Sequence, residues 1–175
     1  MSIKIVYFAH GSTEANEKEL VDNIDYPLST LGIEQATNQG NLVKNQDFDL
    51  VITSDFTRAV QTAEIMFGDR NILMIQDKRL REINVGIANK IDDELNLETP
   101  FEGGGESYLQ VEKRIQDFLD DVKKKYDGKT IAIVTHRIPQ LSFEKIMNEK
   151  SWKQVLLEDW RKTKSWKPGW KYILN

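Results

Sequence analysis

Short apolar runs alternate with amphipathic stretches along this chain. Ile3-Lys4-Ile5-Val6-Tyr7-Phe8-Ala9 is dense in β-branched and aromatic residues, the pattern of a buried strand. Gly11 to Pro27 is polar and irregular. Ser29 or Thr30 can then cap a helix that carries Ile33, Ala36, Gly40 and Val43 at three- and four-residue spacing, the interval that gathers side chains onto one face. Phe48 to Thr53 predicts a second strand. Ser54-Asp55 offers a cap for a helix through Phe67, with Val60, Ala63 and Phe67 on one side, and a third strand follows around Ile72 to Ile75.

From Leu80 to Gly105 the pattern dissolves into a polar stretch ending in Glu102-Gly103-Gly104-Gly105. It is too long for a tight connection, and Ile83 to Gly105 is therefore a candidate cap over a site. Tyr108, Val111, Ile115, Phe118 and Val122 mark an amphipathic helix ending in Lys123-Lys124-Lys125, cations that suit the negative end of a helix dipole and read as a solvated helix end. The strand Ile131 to Thr135 leads into a helix from Pro139 to Asn148, since proline is tolerated in a first turn. All four tryptophans, Trp152, Trp160, Trp166 and Trp170, fall in the tail 151–175, where their spacing predicts packing onto a core or folding over a pocket. The strand-helix-strand rhythm implies a mostly parallel sheet with helices on both faces, a three-layer α/β/α sandwich. With no repeat and no linker, residues 1–175 read as a single domain that includes the cap and the tail.

Composition narrows the setting. A chain of 175 residues buries roughly 70% of the surface its unfolded form exposes, enough for a core without staples. The absence of cysteine excludes a disulfide framework or a thiolate metal site and makes the cytoplasm the simplest address. No basic N-terminal segment precedes a long apolar stretch, and no window approaches the ~18 apolar residues of a membrane span. A formal net charge of −4 disfavours general nucleic-acid binding, so the mixture of tryptophan with Arg161, Lys162, Lys164 and Lys167 in the tail reads as core packing instead.

The chemistry gathers where the strands end. The chain has only two histidines, and each closes an apolar run: His10 after the first, His136 after the last. In open α/β sheets ligands bind beyond the carboxyl ends of the strands, so both imidazoles are expected to face one pocket. His10-Gly11-Ser12-Thr13-Glu14-Ala15-Asn16 crowds a histidine, a flexible glycine, hydroxyls and an amide, a set that suits an anion. His10 could attack phosphorus while Thr13, Asn16 and backbone N–H groups hold the non-bridging oxygens. Arg58 stands at a helix start, where it can clamp phosphate bidentately. Glu82 supplies a carboxylate able to protonate a leaving oxygen. Two histidines without cysteine make a poor zinc site, and no cofactor is expected.

These segments resemble the histidine phosphatase superfamily, also called the phosphoglycerate mutase-like family. Ala9-His10-Gly11-Ser12-Thr13-Glu14-Ala15-Asn16 is similar to its first motif, Arg-His-Gly-Glu-Thr-Glu-x-Asn. The Ser54 to Ala63 segment resembles its Ser-Asp-x-x-Arg-Ala-x-Gln-Thr-Ala signature, and Leu28 to Ala36 an adjoining helix start. Leu80 to Gly86 looks like its acid-bearing motif, Gly104-Gly105-Glu106-Ser107 like the start of its late helix, and Thr135-His136 like its second catalytic histidine. The resemblance implies a phosphohistidine mechanism without metal: His10 as nucleophile, Arg58 and His136 on the phosphoryl group, Glu82 as acid, with Gly11, Thr13 and Asn16 at the phosphate. The implied partner is a small phosphorylated metabolite or inorganic phosphate, with no nucleic acid and no membrane.

Two positions depart from the family pattern. The arginine before the nucleophilic histidine, which in the family grips the phosphoryl oxygens, is Ala9, and Arg137 follows the second histidine where small residues are usual. Three explanations stay open. A substitute cation fills the hole, Arg137 or Arg161, with Lys162 and Lys164 next. Alternatively, the substrate carries its own charge balance or less phosphoryl charge. In the third, the site is a degenerate pocket in a non-catalytic phosphoryl-ligand sensor, or Ala9 is an engineered trap. Hydrolysis of phosphomonoesters leads this reading. A phosphoglycerate mutase ranks below it, because those enzymes are generally longer.

Overall fold

The computed structural model describes residues 1–21, 25–88, 90–163 and 169–175. Five strands form its sheet: β1 (Ile3–Ala9), β2 (Leu50–Thr53), β3 (Met74–Gln76), β4 (Thr130–Thr135) and β5 (Trp170–Leu174), in the spatial order β3-β2-β4-β1-β5. β1 to β4 pair in parallel, and β5 adds an antiparallel edge with Tyr7 opposite Trp170. The helices are α1 (Glu14–Glu17), α2 (Thr30–Val43), α3 (Thr57–Phe67), α4 (Tyr108–Lys125), α5 (Arg137–Met147), α6 (Trp152–Leu157) and α7 (Trp160–Thr163). Among the described residues no helix is long and apolar enough to cross a membrane.

The alternation of β1 explains the layers. Ile3, Ile5, Tyr7 and Ala9 enter one core with Val111, Ile115 and Phe118 of α4 and Leu141 and Phe143 of α5. Val6 and Phe8 point the other way, into a core with Val43 of α2 and Ala63, Met66 and Phe67 of α3. A strand buried on both faces reads as a continuous apolar run, which is the pattern seen in the sequence. The α/β/α sandwich is therefore as expected.

Two local expectations need correction. Ile33 is exposed and Gly40 only half-buried: Ala36 and Val43 face inward as expected, but Gly32 and Gln39 complete the buried line of α2. Gly32 lies so close to the first loop that a Cβ there would sit 2.0 Å from the Ser12 carbonyl oxygen, and that approach fixes which face turns inward. Neither Ser54 nor Asp55 is the N-cap of α3, which begins after Phe56. The Asp25 carboxylate instead accepts from the Thr57 amide at 2.9 Å and from its hydroxyl at 2.7 Å. In the tail, Trp170 opens β5. Trp152 is buried at the start of α6, and Trp160 stacks on Trp170 with ring centroids 5.8 Å apart. Trp166, Lys164 and Lys167 lie outside the described residues.

The cap 83–105 contains one short 3₁₀ turn, Leu95–Leu97, and is anchored by Ile83, Val85 and Phe101, all buried. α4 begins with a reciprocal capping box between Ser107 and Gln110, and its lysine run is exposed as expected. α5 starts at Arg137, which puts Pro139 in its first turn.

Candidate active site

His10 and His136 close neighbouring strands. β1 and β4 pair in register up to Ala9 opposite Thr135, so the next residue of each chain segment emerges at the same carboxyl edge. Their rings lie 5.0 Å apart at an interplanar angle of 62°. Nδ1 of His10 donates to the Gly11 carbonyl oxygen at 2.6 Å, which leaves Nε2 with its lone pair. Nε of Arg58, near the start of α3, donates to that lone pair from 3.3 Å. Burial first, and the Arg58 guanidinium second, hold the His10 pKa down to about 3 against the opposing Gly11 hydrogen bond. The imidazole is therefore neutral at physiological pH, with Nε2 facing Arg58.

Arg58 is itself held in place. Its guanidinium lies 4.9 Å over the Phe56 ring and 3.5 Å from Asp25. His136 is fully buried and packed against Phe56, with ring centroids 5.4 Å apart. Its Nε2 is 2.9 Å from the Ser54 hydroxyl, while among the described residues Nδ1 has no hydrogen-bond partner. Burial, reinforced by the neighbouring His10 and the Arg58 charge, pushes its pKa well below the usual histidine value.

Glu82 arrives from the segment after β3 and is fastened to the first turn of α5. Its Oε2 accepts from the Arg137 amide at 3.0 Å, and its Oε1 accepts from the Ile138 and Ile83 amides, both at 3.0 Å. Because α5 starts immediately after His136, the carboxylate is tied to the backbone that directly follows the second histidine. His10, Thr13, Asn16, Arg58, Glu82, Arg137 and Arg161 border one cavity of about 120 Å³. The sequence-expected residues thus converge from five segments of the chain.

Their individual placements differ from expectation in several respects. Gly11 does not offer its N–H to the pocket: that group donates to the Thr62 hydroxyl at 3.1 Å, and the Gly11 carbonyl orients His10. A side chain at Gly11 would press a Cβ to 2.3 Å from the Gly32 carbonyl, so glycine serves close packing here. The Ser12 amide is likewise occupied, by Gln35 Oε1 at 2.8 Å. Thr13 and Asn16 cap α1 reciprocally, and both also border the cavity. Arg137 borders the cavity with its guanidinium already paired. Its Nε donates to Oδ2 of the buried Asp159 at 2.8 Å, Nη2 pairs with the same oxygen, and Asp93 lies 3.7 Å away.

Arg161, like Arg137, borders both the cavity just described and a second one, of about 850 Å³, that Ala9, His10, Gly11 and Trp160 also line. Among the described residues it forms no ion pair, and its charge contributes to the lowered pKa values of both histidines. α7 is seated by the Asp159 carboxylate, which accepts from the Arg161 amide at 3.0 Å, and by Lys162, whose Nζ reaches Asp93 at 2.5 Å. Among the described residues no group of three or more histidine or acidic side chains is arranged to hold a metal.

Several contributors were not legible beforehand. Ser54 orients His136, Thr62 ties Gly11 to the Arg58 carbonyl at 2.7 Å, and the Tyr7 hydroxyl donates to the His136 carbonyl at 2.7 Å. Ser54 and Thr62 lie inside the motif around Arg58 and could have been read from it. Tyr7 carries no signal apart from its place in a strand.

Strand-edge histidines beside a guanidinium, on a mostly parallel sheet, mark the candidate site of an α/β domain. The chain belongs to the histidine phosphatase superfamily, branch 1, whose family model matches residues 5–143. It is 36% identical over 129 residues to the fructose-2,6-bisphosphatase TIGAR of Xenopus tropicalis, covering 63% of this chain and 46% of that protein, so it spans about half the relative's length. It is 30% identical over 149 residues to the "Probable phosphoglycerate mutase GpmB" of Yersinia pestis, covering 77% and 69% of the two chains. Among solved structures, Bacillus stearothermophilus YhfR superposes with a TM-score of 0.77 at 24% identity, covering 87% of this chain and 83% of that one. The Entamoeba histolytica phosphoserine phosphatase in complex with 3-phosphoglyceric acid superposes with a TM-score of 0.75 at 25% identity, covering 89% and 84%.

Proposed function

We propose that the protein hydrolyses phosphomonoesters through a phosphohistidine on Nε2 of His10. The lone pair on Nε2 attacks phosphorus as the ester P–O bond breaks, and Glu82 delivers a proton to the departing alkoxide. Water then attacks the phosphohistidine, gives its proton to Glu82, and releases inorganic phosphate with His10 restored. Arg58, His136 through Nδ1, and Arg161 bind the non-bridging oxygens, with polar contacts from Thr13 and Asn16. Arg161 takes the place of the guanidinium missing at Ala9, while Arg137, paired with Asp159, is a structural cation.

The observation that carries this reading is the state of His10: neutral, with its proton on the Gly11 side and its free nitrogen 3.3 Å from Arg58 Nε. The test is phosphate release from 4-nitrophenyl phosphate by wild type and by His10→Ala, with acid-quenched protein assayed for an acid-labile phosphoryl group. Histidine-dependent turnover and a trapped phosphohistidine are expected. Equal background from both proteins defeats the proposal.

A sensor that binds phosphoryl ligands without turnover is the second reading. It is favoured by Ala9, a methyl group lining the cavity beside His10. Tight vanadate or phosphate binding combined with absent turnover would select it.

A further inference from the structure

We infer that the alcohol side of the pocket selects phosphomonoesters whose organic group is uncharged and apolar, and rejects those bearing a carboxylate. The inference rests on the roles given above to His10 and Glu82. In an in-line displacement the leaving oxygen lies opposite Nε2 of His10, and therefore at the Glu82 end of the cavity. The lining of the same cavity includes Ile83, Val85, Ile91 and Ile138, with Tyr26, and the Ile83 and Ile138 amides both donate to Glu82. Ile83, Val85 and Ile138 are 5%, 3% and 1% exposed, so these three belong to the packed interior, while Ile91 is partly exposed.

Among the described residues, Arg79, Arg81, Arg114 and Arg137 are already ion-paired. Arg81 pairs bidentately with Asp55 at 2.7 and 2.6 Å, and Arg114 binds Glu106 at 2.8 and 3.1 Å. Arg79 holds Asp77 and Asp121 at 2.7 and 3.0 Å, and Arg137 holds Asp159. Arg58, which also lies 3.5 Å from Asp25, and Arg161 stand beside His10, where they would meet the phosphoryl dianion. A carboxylate carried on the substrate's alcohol would leave water for isoleucine and valine side chains with no opposite charge to meet it, whereas a methyl group there gains contact.

Isobutyl phosphate and 3-phosphoglycerate test this cleanly. They share the same branched carbon attached through a CH₂ to the phosphate oxygen, and the acid's carboxylate and hydroxyl stand where the alkyl ester has two methyls. Wild type should show kcat/KM at least about tenfold higher for isobutyl phosphate. Ile91→Arg, on the partly exposed rim of the wall, should narrow or reverse that ratio.

Dissociation constants of both esters for His10→Ala give a measure independent of turnover, with tighter binding of isobutyl phosphate expected. Equal or preferential use or binding of 3-phosphoglycerate overturns the inference, as does failure of both esters to bind. Absence of histidine-dependent hydrolysis of 4-nitrophenyl phosphate, with the binding order intact, sinks the catalytic reading alone.

Discussion

Nε of Arg58 donates to Nε2 of His10 across 3.3 Å, a contact that exists only while that nitrogen carries a lone pair. That guanidinium adds to burial in keeping the imidazole neutral, and in the proposed reaction it stands beside the phosphoryl group. Arg58→Ala should lower kcat/KM by about 10²–10³-fold. It should also let the His10 pKa climb from about 3, because a nearby positive charge is one cause of its depression. Ring-proton chemical shifts followed against pH report the second effect, and a pKa that stays near 3 in the variant would assign the depression to burial alone.

Both histidines bear on stability as well. Their pKa values are lowered by folding, His10 to about 3. The unfolded chain therefore binds protons that the folded chain refuses once the pH drops below about 6.5. Stability from these groups is complete above that value and is lost as the pH falls toward 3, with a slope approaching about 1.4 kcal/mol per pH unit for each histidine. Urea unfolding at pH 7, 6 and 5 reads the slope before most carboxylates titrate. His10→Gln should remove roughly half of it, and a flat profile in wild type contradicts the assignment.

Ser54 joins His136 to the start of α3: its Oγ lies 2.9 Å from Nε2 of the histidine and accepts from the Phe56 amide at 3.3 Å. Ser54→Ala leaves a second nitrogen of a buried imidazole without a partner. The expected cost is about 1–3 kcal/mol in denaturant unfolding. A fall in kcat larger than the change in KM is also expected, since the ring loses its orientation. Ser54→Thr, which keeps the hydroxyl, should restore part of the rate, and a merely structural serine would not show that split.

Asp159 is completely buried and pairs with Arg137, itself 11% exposed. Removing one partner strands the other charge, so Asp159→Ala should cost about 3–5 kcal/mol, whereas the double replacement Asp159→Leu with Arg137→Met should recover much of it. Chemical denaturation of wild type and both variants distinguishes these outcomes. A single variant as stable as wild type would mean that the pair is solvated.

Arg161→Ala should raise KM for a phosphomonoester and lower kcat/KM by about tenfold or more, because a charged hydrogen bond to the dianion is lost. Arg137→Ala should act on stability instead. If neither change alters phosphate-ester binding, substitution for the missing first-motif arginine fails. Steady-state kinetics with 4-nitrophenyl phosphate separates the two arginines.

Much of this molecule is written locally. A strand buried on both faces must be a continuous apolar run, and a pocket at its carboxyl end needs its ligands within a few residues of that end. For this reason β1 and β4, their closing histidines, Arg58 and the long amphipathic α4 are all readable from contiguous segments. What stayed hidden depends on partners distant in sequence. The cap of α3 comes from Asp25, 32 positions away, and the antiparallel edge comes from the tail. The face that α2 buries is decided by Gly32 against Ser12, and the choice between Arg137 and Arg161 by which guanidinium Asp159 reaches. Periodicity names a face and charge names a candidate, but only the packed chain decides what the face meets and which charge is already neutralised.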